Sequence, residues 1–510
     1  MTVARTWAVA LIGLDGTLIE VEADISAQLP AFVIIGLGDR SLREAEGRVR
    51  QAASNSGCRL APRHITVNLS PASLPKHGAT FDLAIALACL AADGMVDRTS
   101  VDRVVHIGEL GLDGRLRPTP GVLPAVRSAV REGRAIVMVP TANAEEARLV
   151  PGATVVPVGS LRDAAIHHGA DLDARATEPI QAAPHGDVPV DDLDIGDVVG
   201  QSEAVDALET AAAGGHHVMM LGPPGAGKTM LAERLPGILP DLSIDEALET
   251  ASVRSLAGEP IDGTLCVRPG YEAPHHTATA AAIVGGGSGM IRPGAAARAV
   301  NGVLFLDEAP EFPRTVLDAL RQPLESGVIT IHRANSVARF PGRFQLVIAA
   351  NPCPCGQYGS ADGACTCPPA AIRRYLGRLS GPLRDRVDIH MNIPRVSAAH
   401  LRAARASSAL HSSDVRERVA AARARAAERL KETPWTRNSE VTGAWLRGDG
   451  ALSRGVTAVI DRALERGGLT MRGYDRVLRV AWSVSDLAES SRPTAEHVGK
   501  ALYLRKGIAT

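Results

Sequence analysis

No uncharged apolar run in this 510-residue chain approaches the roughly 20 residues of a membrane span without glycine or proline interrupting it. That absence points to the cytoplasm. The mildly apolar start from Ala4 to Leu14 contains an arginine, soon meets Asp15 and is followed by no small-residue cleavage pattern, so it reads as a first strand and not as a secretory signal. Net charge is lacking too, at -1. Any nucleic-acid surface must then be a local patch, because counterion release needs clustered Lys and Arg. Tandem repeats of fixed period are absent, and seven unevenly placed cysteines are too few for a disulfide framework.

Four of those cysteines nevertheless sit close together, as Cys353-Pro-Cys355 and Cys365-Thr-Cys367, with Gly356, Gly359 and Gly363 loosening the chain between them. Such thiolates can close a tetrahedral structural zinc site, although a C-x-C bite is tighter than the usual C-x₂₋₄-C. Reduced, unliganded cytosolic cysteines are the alternative.

The strongest motif is Gly222-Pro223-Pro224-Gly225-Ala226-Gly227-Lys228-Thr229, entered from the apolar run His217 to Leu221 and followed by Met230-Leu-Ala-Glu-Arg-Leu. This reads as strand, glycine loop, helix. The glycines let backbone N–H groups converge on phosphate oxygens and the helix aims its positive end at them. Lys228 offsets the β/γ charge, and Thr229 offers a hydroxyl to Mg²⁺. A second apolar run, Val303 to Leu306, ends in two carboxylates. Asp307 is placed to hold the Mg²⁺ shell and Glu308 to polarise an attacking water, which makes ATP hydrolysis the expected reaction. Asn351 closes a third apolar run from Phe344 and can orient that water.

At this length more than one domain is expected. From Ala8 to Gly169, short β-type runs (65–69, 104–107, 135–139) alternate with helical patterns (41–56, 83–92, 122–132). The chain then turns polar from Ala170 to about Ile195, which suits a linker. The nucleotide-binding block runs to about Pro394. Beyond it everything reads helical: an Ala/Arg-rich stretch from Ser397 to Lys431, then 451–466, 474–490 and 494–504. Between Lys228 and Asp307 lies a glycine- and histidine-rich insertion, in which the roles of His275 and His276 stay open between facing a pore, contacting the nucleotide neighbourhood and being simple loop histidines, the last slightly preferred. Residues 327–335 and 337–340 read as a β-hairpin whose His332, Arg333 and Arg339 suit a phosphate backbone or, equally, an ordinary solvated hairpin.

Taken together, Asp197-Val-Val-Gly-Gln201, the glycine loop, Pro274-His-His-Thr277, Gly302 to Glu308, Asn351-Pro-Cys-Pro-Cys-Gly356, Gly381 to His390 and Met471-Arg-Gly-Tyr-Asp-Arg476 resemble the YifB/ComM family of magnesium-chelatase-like AAA+ ATPases over essentially the whole chain. The resemblance implies four segments. They are a Lon-protease-like (ribosomal-S5-like) α/β domain over 1–169, a linker over 170–195, a P-loop AAA+ parallel-sheet domain over 196–394, and a C-terminal helical lid over 395–510. It makes Asn351 sensor 1, Arg386 an arginine finger reaching the neighbouring subunit, and Arg472, just before the amphipathic helix, sensor 2. Val199, Gly200 and Gln201 would line the adenine side. A finger acting between subunits implies a homo-oligomeric, hexameric ring. In the N-terminal block the Lon serine position holds Thr80 and the lysine position Leu123, so no peptidase activity is expected, since leucine accepts no proton. The implied function is ATP-driven DNA remodelling, of helicase or branch-migration type, with DNA as partner. The alternative is a chelatase-type motor acting on a protein. The Ala/Arg-rich stretch and the hairpin arginines fit the DNA reading.

Overall fold

The computed structural model describes residues 3–36, 44–74, 76, 78–175, 178, 180, 193–287, 291–333, 336–359, 365–396 and 410–506. The expected helical residues 397–409, the start of the expected 41–56 helix, most of the expected linker, and Gly363 lie outside them.

The N-terminal part is built on a seven-stranded mixed sheet, ordered 31–35, 64–70, 15–26, 4–12, 105–106, 136–140, 154–158. Alternation along Asp15–Ser26 turns Ile19, Val21, Ala23 and Ile25 inward. They meet the helix Asp82–Asp93, which is apolar on every side and buried along its length. Its first residue, Asp82, is taken into the core only with a bidentate guanidinium from Arg48, at 2.7 and 3.0 Å.

The second sheet has five parallel strands, ordered Tyr271–Glu272, Val303–Leu306, Gln345–Ala350, Val218–Leu221 and Ile389–Asn392. Val303–Leu306 and Gln345–Ala350 are buried throughout, as expected of a parallel sheet covered on both faces. The helices Ser412–Leu430, Arg454–Glu465, Met471–Leu487 and Ala495–Lys506 pack beside it and share its core. Arg472 therefore lies in the first turn of its helix and not before it.

The Ala/Arg-rich stretch is spent on packing. Arg416 donates to Gly237 O, Arg423 to Ala212 O and Arg425 to Asp486 O, each a carbonyl at the C-terminal end of another helix. Arg418 and Arg429 pair with Glu209 and Asp486. Guanidinium groups are well matched to such orphan carbonyls and to the negative end of a helix. All five arginines of Ser412–Leu430 thus have partners within the fold, Arg418 and Arg425 while still partly exposed.

The two sheets are joined through the helix Val122–Arg131, which lies on Ile244–Ala257. Leu123, at the position where Lon chemistry needs lysine, is fully buried there, and its N–H reaches Ser255 Oγ at 3.4 Å. Arg127 Nη1 donates to Ser252 Oγ at 3.1 Å.

Three histidines are pushed down to about 4 by burial: His168, His217 and His390. Nδ1 of His217 accepts the Leu346 N–H at 3.1 Å, and His168 Nε2 sits 2.9 Å from His106 Nε2, a gap that holds one proton. Since the folded groups titrate near 4 and ordinary histidine at 6.5, the unfolded chain binds more protons between those values. Their stabilisation is complete above 6.5 and is lost as pH falls toward 4, at up to about 1.4 kcal/mol per pH unit for each histidine. The melting temperature is expected to hold steady from about pH 8 to 7 and to fall from about pH 7 to 5. A flat profile across the acidic interval would show that these histidines do not titrate with unfolding.

Candidate nucleotide site

Three strands of the parallel sheet finish side by side. Leu221 pairs with Ala350 and Leu306 with Ile348, so Gly222, Asn351 and the pair Asp307-Glu308 emerge at one edge. Val218–Leu221 comes first of the five strands in the chain yet lies between Gln345–Ala350 and Ile389–Asn392. Strand order therefore reverses beside the glycine loop, the place where open α/β sheets bind ligands.

At Gly222 the loop comes close to a neighbouring strand only because there is no side chain. A Cβ on Gly222 would sit 2.3 Å from Ile393 O, and Gly227, at φ 89°, turns left-handed into the helix Lys228–Ile238. Lys228 is only 8 % exposed. Its ammonium donates to Gly222 O at 2.7 Å, Pro223 O at 3.0 Å and Asn351 Oδ1 at 3.1 Å. Burial lowers its pKa, opposed by Asp307 and Glu308. A phosphate oxygen is a stronger, charge-assisted acceptor than these neutral oxygens.

Thr229 Oγ1 donates to Asp307 Oδ2 at 2.9 Å. A hydroxyl and a carboxylate meeting beside the glycine loop form the hard-oxygen donor set that suits Mg²⁺. Asp307 Oδ1 in turn accepts the N–H of Glu308 at 2.8 Å. Glu308 holds a left-handed backbone at φ 48°, a conformation that costs a non-glycine residue about 1–3 kcal/mol. Gln201, buried, donates to Pro394 O at 2.8 Å and Ala226 O at 3.3 Å, which ties the segment carrying Gly200 and the exposed Val199 to the loop.

His276 Nδ1 lies 3.6 Å from Glu308 Oε2, and its ring is 4.1 Å from that of His275. His275 bonds within the loop, to Thr277. Both histidines lie in the loop after Tyr271–Glu272, and of the two it is His276 that faces the carboxylate.

Arg386 and Arg472 are not brought to this cluster. They line a separate cavity of about 840 Å³, together with Arg343, Arg437, Arg476 and Arg479, and no loop residue lines it. Arg386 is 8 % exposed, pairs with Glu325 and donates to Pro382 O at 2.6 Å, while its buried Nε has no partner. The four sulfurs of Cys353, Cys355, Cys365 and Cys367 lie within 4.8 Å of one another. Residues 328–333 and 336–341 do form an antiparallel hairpin, with His332, Arg333 and Arg339 exposed.

Comparison with known proteins bears on the whole chain. The family described as "Magnesium chelatase, subunit ChlI" matches residues 194–401, "Subunit ChlI of Mg-chelatase" matches 21–143, and the ChlI C-terminal family matches 409–505. "Competence protein ComM" of Haemophilus influenzae is 39% identical over 506 residues, covering 99% of this chain and 98% of its own. The uncharacterized protein YifB of Escherichia coli is 38% identical over 511 residues, covering 97% and 96%. A short stretch of 62 residues, 12% of this chain, is 42% identical to part of an archaeal Lon protease from Archaeoglobus fulgidus. Near-complete likeness to ComM and YifB, and magnesium-chelatase matches along its length, place this chain in the YifB/ComM family of magnesium-chelatase-like proteins.

Proposed function

We propose that this protein is a ring-forming ATPase that couples ATP hydrolysis to DNA remodelling, as a helicase or branch-migration motor in recombination or DNA uptake. The observation that carries the reading is the meeting of Lys228, Thr229, Asp307, Glu308 and Asn351 at one carboxyl edge of the parallel sheet.

In this reading the loop N–H groups and Lys228 hold the β- and γ-phosphates of ATP, and Val199 to Gln201 border the base. Thr229 and Asp307 hold Mg²⁺, which when bound supplies charge that offsets the developing phosphate charge. Glu308 takes the proton of the attacking water and Asn351 orients it. His276 restrains the Glu308 carboxylate, while Arg386 and Arg472 act on the nucleotide of the adjoining subunit in a hexamer. The four thiolates of Cys353, Cys355, Cys365 and Cys367 make zinc the second metal.

The segments serve distinct tasks: a Lon-like domain over 1–169, a linker over 170–195, the ATPase over 196–394 and the helical lid over 395–510. Leu123 leaves the first without the base that would activate a hydroxyl at Thr80, and the packing of its helix Val122–Arg131 on Ile244–Ala257 suits docking instead of proteolysis. Among the described residues no helix is long and apolar enough to cross a membrane, and we place the protein in the cytoplasm. Support for DNA comes from the exposed hairpin cations and from the name that the ComM relative bears. A second reading, a chelatase-type motor that remodels a protein partner, is favoured by the magnesium-chelatase matches.

Forked DNA separates the two. For a DNA motor, ATP turnover is expected to rise several-fold on adding forked DNA, with binding that weakens steeply as salt increases. Turnover indifferent to DNA, without salt-sensitive binding, would move the assignment to the protein-remodelling motor.

A further inference from the structure

The cysteine loop is built onto the phosphate loop. Cys353 follows Asn351 by two residues and is fully buried. Gly356, left-handed at φ 77°, lies so close to the glycine loop that a Cβ there would stand 2.4 Å from Pro224 Cδ. Cys353 Sγ is 3.3 Å from Cys355 Sγ and 3.8 Å from Cys365 Sγ, and Cys355 and Cys365 are 3.7 Å apart. A tetrahedral zinc with Zn–S bonds of ~2.3 Å requires sulfurs ~3.8 Å apart. The N–H of Tyr358 already points at Cys353 Sγ at 3.3 Å, the kind of outer hydrogen bond that orients a thiolate ligand.

From this placement we infer that a zinc ion held by Cys353, Cys355, Cys365 and Cys367 is a strut of the hydrolysis site: it fixes the strand end that carries Asn351 and rests, through Gly356, on Pro224 of the phosphate loop. The inference rests on the nucleotide reading of residues 222–229. Zinc binding displaces the thiol protons and involves no redox step. Since Asn351 Oδ1 is also an acceptor of Lys228, a change at the metal passes to both the water-orienting amide and the phosphate-binding ammonium. Linkage is reciprocal, so nucleotide in the loop must tighten the hold on zinc.

The test uses the full-length protein purified without chelator. Metal analysis is expected to give one zinc per chain, lost in Cys367→Ser. Zinc release into a chromogenic chelator is then timed with and without a non-hydrolysable ATP analogue, whose own binding is measured in parallel. The analogue is expected to slow release by about 5-fold or more, the lower end of ordinary coupling. Gly356→Ala, which strikes the contact with Pro224 and leaves all four cysteines in place, should keep its zinc and lose that slowing. No zinc above trace overturns the metal site. Equal release rates at saturating analogue, or slowing undiminished in Gly356→Ala, overturn the strut while leaving the ATP reading intact. Failure of the analogue to bind shows up separately and overturns the ATP reading and the coupling together.

Discussion

A Glu308→Gln protein is expected to bind ATP as the unaltered chain does and to hydrolyse it about 10³-fold more slowly, within the range that a positioned general base supplies. The substitution preserves shape and removes the group proposed to accept the water's proton. Its placement argues for the size of the effect. The carboxylate follows a fully buried strand, sits next to the residue that bonds Thr229, and is aimed by a strained φ of 48° that helix or strand geometry would not give. The neutral amide keeps contact with His276, 3.6 Å away, so folding and nucleotide affinity are expected to change little. Turnover within a factor of about three of the unaltered protein would remove Glu308 from the chemistry.

Arg386→Ala is expected to lower turnover by about 10³-fold or more, as loss of an arginine finger does, with nucleotide affinity nearly unchanged. The side chain lies in a cavity lined by six arginines and by none of the loop residues, so it cannot be assigned to the loop of its own chain. Its buried Nε lacks a partner, and its bond to the exposed Glu325 can be exchanged for one to phosphate. Arg472 lines the same cavity, which gathers both expected arginines on one surface. The buried arginine also makes contacts within its own subunit, so the variant's melting temperature separates a folding defect from lost chemistry.

What the sequence carried and what it concealed divide along physical lines. The glycine loop, its strand and its helix obey local rules, with positive φ at Gly225 and Gly227 and an apolar run before them, and they were legible directly. Asp307, Glu308 and Asn351 were legible because a buried strand that ends in a polar residue places that residue at a sheet edge. The contact of His276 with Glu308 was not, since it depends on how the loop after Tyr271–Glu272 folds back over the neighbouring strand end. The contacts of the Ala/Arg-rich helix were hidden for another reason. An arginine that caps a distant helix and one that waits for DNA look alike in sequence, and only Gly237, Ala212 and Asp486, brought near by the fold, distinguish them. Likewise Leu123 announced a missing base, but not that the vacated face docks on Ile244–Ala257.

Whether the site is shared between subunits is decided most directly by mixing two inactive proteins. Lys228→Ala lacks the loop cation but keeps Arg386; Arg386→Ala keeps the loop and lacks the finger. Mixed in equal amounts and allowed to reassemble, the pair is expected to regain roughly a quarter of the turnover of unaltered rings, because an intact Lys228 then meets an intact Arg386 at about one interface in four. Mixed rings that form and stay as inactive as either parent would contradict a hydrolysis site completed by the neighbouring subunit.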